Sequence, residues 1–369
     1  MVNPVFSLES LALTKIAIHV YSDPDIKISQ CRKRGSLEFL PQDDWEPFMQ
    51  KKFSSLNLPL ILEKKLNALM KPLSDEICQW KVEHFPILNY CVLEQSIEYV
   101  WNYYGTIDRI KTAESYIQCE SNIIFLRFKM ASVYWLEEEA KQLWEKMNEN
   151  SRRRLSAFRV SRESYRWEYA VKDRITFLKS GALHWRNHPF SRPLLWYCQD
   201  NVILQGNLLQ QISPQDRLNV FKTKMESHIP AQTNVFCLLK MSAEHLEDVM
   251  KKEPLNVFLG LCNWPLHRQF QKMTDRIFSL LTEKEFRQLV LVVICDKIAW
   301  DWMDWDYVEL LNELWNRSPV HFKQYVESSE FFDILKMALN HDYKKPFRDR
   351  CQLKNIKKIE KSFYNISYG

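Results

Sequence analysis

The segment Asp301-Trp302-Met303-Asp304-Trp305-Asp306 is the densest set of carboxylates and aromatics in this chain. Carboxylates at i, i+3 and i+5 could hold Mg²⁺ for a diphosphate, because that ion binds through one or two carboxylates plus phosphate oxygens. A Mg-dependent all-α enzyme would also need a second metal motif, and none is found. The competing expectation is structural. In it Asp304 caps a helix beginning near Tyr307, Asp306 favours that helix's dipole, and Trp300, Trp302 and Trp305 wedge between neighbouring helical units.

Two further segments carry reactive side chains. His184 and His188, in His184-Trp185-Arg186-Asn187-His188-Pro189, stand at i and i+4 and could share one helix face as zinc ligands. The glutamate of a metalloprotease helix is missing between them, Pro189 ends the helix and no third ligand is evident, so a surface helix end is expected. Arg152, Arg153, Arg154, Arg159, Arg162 and Arg166 make a basic stretch in which Tyr165, Trp167 and Tyr169 are interleaved. That mixture could track a phosphate backbone and stack bases. Glu163, Glu168 and Asp173 dilute it, and a solvated helix face is the alternative. With six isolated glycines no phosphate loop, dinucleotide fingerprint or nucleophile elbow can be built. No catalytic, cofactor-binding or metal-ligating residue is therefore assigned, and no cofactor is expected.

The elements that position these segments are helical. Apolar residues recur at three- and four-residue spacing, as at Leu56, Leu60, Leu62, Leu66, Leu69 and Leu73, and no stretch alternates with period two. Scarce glycine points the same way, since sheets spend it on hairpins and bulges. A hydrophobic content of 46% excludes a disordered chain. Ser7 caps the first helix, with Phe6 stapled onto Leu11, and Ser22-Asp23-Pro24 stops it.

One corner recurs. An apolar residue is followed three positions on by a second, then by a capping residue, then by two buried positions four and seven further along. Copies begin at Trp101, Trp144, Leu209, Leu238, Phe278 and Trp315. Ser213-Pro214 and Ser318-Pro319 place proline at a first helical position, and Thr282 with Glu285 forms a capping box. Trp144 and Trp315 are expected to be buried at these corners. The copies recur about every 30 to 45 residues, with one double-length gap, which is the period of stacked helix hairpins. The fold expected is all-α, an irregular α-solenoid of stacked helix hairpins over 1–343 with a weak break near 180–195. Residues 344–369 form a basic tail or capping helix, since Lys344 to Lys361 holds eight basic and two acidic residues while the whole chain carries only +5.

The units Ala140-Lys141-Gln142-Leu143-Trp144-Glu145-Lys146-Met147-Asn148 and Leu311-Asn312-Glu313-Leu314-Trp315-Asn316, with the opening Ser10-Leu11-Ala12-Leu13-Thr14-Lys15-Ile16-Ala17-Ile18, resemble uncharacterised, loosely ankyrin-like helical-repeat proteins predicted from spider genomes. The resemblance covers Phe6 to Asp25 and Gln210 to Val326. It implies no activity.

Nine dispersed cysteines without a C-x-x-C pair predict a reduced, cytoplasmic protein. The apolar stretch Leu11 to Val20 is broken by Lys15, so no signal peptide is expected. The longest apolar run, Leu289 to Cys295, falls far short of the roughly 20 residues that cross a bilayer. The function expected is non-enzymatic binding of a protein or peptide partner. The alternative is binding of nucleic acid or an anionic surface through the basic tail and the Arg152–Arg166 face.

Overall fold

Ser7 starts the first helix as its spacing predicts: its hydroxyl accepts from the Ser10 amide at 3.1 Å, and α1 runs Leu8–Tyr21. The Phe6 ring stacks on Tyr104, with centroids 5.9 Å apart. This computed structural model describes residues 6–23, 49–88, 97–156, 166–180, 202–225, 231–343 and 347. His184, His188, the 181–195 stretch, Arg159, Arg162 and all of 344–369 except Phe347 lie outside the described residues.

Every named element among the described residues is helical. After α1 come α2 (Leu60–Leu88), α3 (Arg109–Gln118), α4 (Ile124–Val133), α5 (Glu137–Lys146), α6 (Glu149–Ser156) and α7 (Arg166–Ser180). Then follow α8 (Gly206–Gln211), α9 (Pro214–Met225), α10 (Ala231–Lys240), α11 (Ala243–Lys252), α12 (Pro254–Leu261), α13 (His267–Met273) and α14 (Ile277–Leu280). The last are α15 (Glu283–Val292), α16 (Tyr307–Arg317), α17 (Val320–Glu327) and α18 (Phe332–Asn340). Among the described residues the one β-type contact is an isolated bridge between Trp101 and Ile107.

The chain divides into two compact units, with one boundary inside α2. The first comprises Met1–Asp75, Tyr103–Gly105 and Ser242–Gly369, the second Glu76–Asn102 and Thr106–Met241. In the first, helices pack next-but-one along the chain: α15 lies against α17 and α16 against α18. Phe278, Phe286 and Phe322 join α14, α15 and α17 through ring contacts of 5.1 to 5.8 Å. In the second, α4 is central, packed by α3, α5 and α7, and is buried along Leu126–Val133.

The corners follow the expected chemistry with corrections. Ser242 caps α11, Thr282 and Glu285 form a capping box on α15, and Pro214 opens α9. Pro319 lies one residue before α17, and the Ser318 hydroxyl turns back to donate to the Trp315 carbonyl at 2.7 Å. The corner at Trp101 is not a hairpin. Asp108, not Gly105, caps the following helix by accepting from the Lys111 amide, while Gly105 turns at φ 91°. A β-carbon there would stand 2.9 Å from Thr14 Cγ2 and 3.0 Å from Trp264 Nε1, so only glycine fits.

Trp144 and Trp315 are half-buried, against expectation. Their neighbours Leu143 and Leu314 fill the core, and each indole lies under a cation, Arg152 at 5.6 Å and Lys323 at 5.7 Å. An amphipathic helix can bury only about 100° of its surface, and the smaller leucine takes the inward direction here.

Candidate functional site

The aspartate-rich segment is positioned by an irregular stretch of helix. Beyond α15 the backbone widens into a π turn over Val293–Lys297, tightens into a 3₁₀ turn over Ile298–Trp300, and reverses at Asp301 with φ 52°. The three carboxylates are thereby separated. Asp306 caps α16, accepting from the Glu309 amide at 2.8 Å, so it takes the role expected of Asp304. Asp304 turns inward with its side chain fully buried. It faces the core because the reversal at Asp301 sets it beside α13 and the first turn of α16.

Around Asp304 the partners are aromatic and basic. Its Oδ2 stands 3.2 Å from His267 Nε2 and accepts from the Tyr307 hydroxyl at 3.4 Å, and that hydroxyl is 3.1 Å from the Cys262 carbonyl. His267 Nε2 also lies 3.2 Å from the Cys262 carbonyl and stacks on Trp305 at 5.0 Å. Lys297 donates to Asn263 Oδ1 at 2.8 Å and sits 3.9 Å over the Trp302 ring. Lys71 donates to the Trp300 carbonyl. Burial raises Asp304 to about 6, offset in part by Lys297, and burial lowers His267 to about 3 with Lys297 adding to the shift. The Cys262 thiol is pushed up by burial, so it is an inert hydrophobe.

The second unit holds a larger polar cluster. Glu76 and Glu83, seven residues apart on one face of α2, share Arg109 at the start of α3. Arg109 NH1 donates to Glu76 Oε1 at 2.8 Å, and its Nε and NH2 make a fork on Glu83 at 2.9 and 3.2 Å. The Ile107 amide also donates to Glu76, at 2.9 Å. Burial raises Glu83, and the guanidinium offsets only part of that. Beside them His84 is held between the Trp80 carbonyl and the Tyr134 hydroxyl, both at 2.6 Å, with its ring stacked on Trp80 at 3.8 Å. Burial lowers His84 to about 3, so its Nδ1 donates to the carbonyl and its Nε2 accepts from Tyr134.

Sequence reasoning missed this cluster. The signal was present: α2 carries Glu76, Glu83 and His84 among Leu69, Leu73, Ile77 and Trp80 on its inward face, and charges so placed need a buried partner. In the sequence Arg109 stands out only by its place in the corner that begins at Trp101, eight residues before it.

These arrangements can do structural chemistry. The titratable groups of both clusters are enclosed, Asp304 with its Oδ1 unmatched, and no group of three or more metal-ligating side chains comes together among the described residues. Of the arginine-rich face, Arg152 is spent on the Trp144 and Glu145 carbonyls and Arg153 on Glu149. No helix among the described residues is long and apolar enough to cross a membrane. What the fold defines is an all-helical protein. No known protein family, curated protein or solved structure matches the chain.

Proposed function

We propose that this chain is a non-enzymatic helical scaffold, built of stacked hairpins, that binds a protein or peptide partner through its outer helix faces. One observation carries the reading: the two titratable clusters described above are enclosed, while large apolar side chains stand on the outside. Asp304, His267, Glu83, Arg109 and His84 are sealed in, whereas Leu8, Leu60, Ile61 and Val320 are more than half exposed. Such an exterior suits association rather than turnover. The next-but-one packing of α15 on α17 and α16 on α18 supports the stacked-hairpin architecture. Free, buried thiols at Cys237 and Cys262 support a reducing compartment, the cytoplasm.

Affinity capture with and without nuclease, eluted along a salt gradient, tests this. A protein partner retained after nuclease treatment and at about 0.5 M salt is expected, because apolar association resists screening. Recovery of nucleic acid alone, with binding that falls steeply as salt rises, would replace this reading with that of a polyanion binder.

A further inference from the structure

Four of the most exposed large apolar side chains stand at one corner of the first unit. Leu8, at the start of α1, is 85% exposed; Leu60 and Ile61, at the start of α2, are 67% and 64% exposed; and Tyr103 is 63% exposed. Side-chain contacts hold them together. Glu9, next to Leu8, pairs with Lys65, which lies one turn beyond Ile61 on the same face of α2. Phe6, two residues before Leu8, packs edge-to-face on Tyr103 at 6.1 Å. Arg268 of α13 reaches the hydroxyls of Ser7 and Ser10, both at 3.3 Å. A single exposed leucine needs no explanation, but a group of this size rimmed by polar residues marks an interaction site.

Charge selects the occupant. The outward stripe of α1 runs Leu8, Ala12, Lys15 and His19, turning from apolar to basic along one face. Lys64, Arg268 and Lys272 are exposed around the same corner. Glu9 is already engaged by Lys65, and Glu63, beside Lys64 in the sequence, is half-buried. A partner that seats apolar side chains against Leu8, Ile61 and Tyr103 therefore meets surplus positive charge at the rim. An amphipathic helix with Leu or Phe on one face and Asp or Glu flanking it supplies both complements. We infer that this corner docks an acidic amphipathic helix of a partner protein, an inference that rests on the scaffold reading above.

The test is selection on the full chain from a displayed library of random peptides of about 16 residues, long enough for four helical turns. Selected peptides are then measured by fluorescence polarisation. Enriched sequences should carry acidic residues flanking apolar ones at helical spacing. Leu8→Asp with Ile61→Asp should weaken their binding at least about tenfold, and Lys64→Glu with Arg268→Glu should do the same, while Val320→Asp should leave it unchanged. Three results overturn the proposal: no enrichment, enrichment of peptides without acidic residues, or binding that survives both double variants. Binding to phosphatidylserine vesicles but to no peptide would assign the corner to a membrane surface instead. A fall in melting temperature of more than about 3 °C for Leu8→Asp with Ile61→Asp would show that the chain's own residues cover it. If both double variants still capture a salt-resistant protein partner, the scaffold reading stands and only this surface is lost.

Discussion

Replacing Arg109 with Met removes the single cation that two buried carboxylates share. The side chains of Arg109 and Glu76 are each 9% exposed and that of Glu83 is 2% exposed, so water cannot take over the lost contacts. Three charge-assisted hydrogen bonds disappear, and Glu76 keeps only the Ile107 amide at 2.9 Å. Breaking a buried pair by removing one partner costs about 3 to 5 kcal/mol, because the remaining charge stays desolvated. At about 2 to 4 °C per kcal/mol for a unit of this size, Arg109→Met should melt roughly 6 to 20 °C below the parent at pH 7.5. The sign of the pH response separates this mechanism from simple loss of packing. Carboxylates left without a cation have raised folded pKa values, so they stabilise the fold as it takes up protons, and the deficit should shrink as pH falls toward 5. Urea unfolding at both pH values measures it. A further variant carrying Glu76→Gln and Glu83→Gln with Arg109→Met should recover most of the loss. A deficit under about 1 kcal/mol at pH 7.5, or one that grows in acid, would refute the account.

His84, lowered to about 3 by burial, stays neutral in the fold while its unfolded counterpart binds a proton below about 6.5. Its contribution is therefore complete above pH 6.5 and lost on descending from 6.5 toward 3, at up to about 1.4 kcal/mol per pH unit, and His84→Gln should flatten a denaturation series over that window. Asp304, raised to about 6, acts in the opposite sense, stabilising the fold as pH falls from 6 toward 3.8. Asp304→Asn should steepen the acid loss in the same series. Leu143→Ala and Leu314→Ala should each cost about 2 to 5 kcal/mol in thermal melts, since both leucines are buried. The half-buried Trp144 and Trp315 should cost only about 1 to 2 kcal/mol on replacement by alanine. Asp306→Ala should cost about 0.5 to 2 kcal/mol through loss of the α16 cap, measured by urea unfolding.

Helical class was legible because it rests on local rules. Ser7, Ser242 and the Thr282–Glu285 pair satisfy amides within three residues of themselves, so their spacing in the sequence is their spacing in space. What escaped was set by distant partners. Asp304 and Asp306 are two residues apart, and either could cap α16. The reversal at Asp301 decides which one does, and a non-glycine residue at φ 52° is not foreseeable from residue type. Trp144 is expected inside because it opens a copy of the recurring corner. The neighbouring leucine points inward instead, and Arg152, eight residues along, covers the indole from outside. Arg109 was invisible as an ion pair because its carboxylates lie 26 and 33 residues away on a different helix.

The two units share one device. In each, a neutral histidine stacks on a tryptophan and meets a backbone carbonyl four or five residues earlier and a tyrosine hydroxyl on another element, His84 through both ring nitrogens and His267 through Nε2 alone. His84 does so with Trp80 and Tyr134, and His267 with Trp305, Cys262 and Tyr307. A purely apolar contact between helices tolerates a slide of one turn, because one leucine replaces another at little cost. A buried imidazole does not, since leaving its partner unmade costs about 1 to 3 kcal/mol, and the tyrosine hydroxyl loses its acceptor in the same movement. Placing one such pair at the junction of α2 with α4, and another where α13 meets α16, fixes the register of helices whose remaining contacts are interchangeable. A scaffold whose binding surface is a set of helix faces depends on such register, because a slide of one turn would carry the side chains of one helix about 5 Å past those of its neighbour, the pitch of a helix.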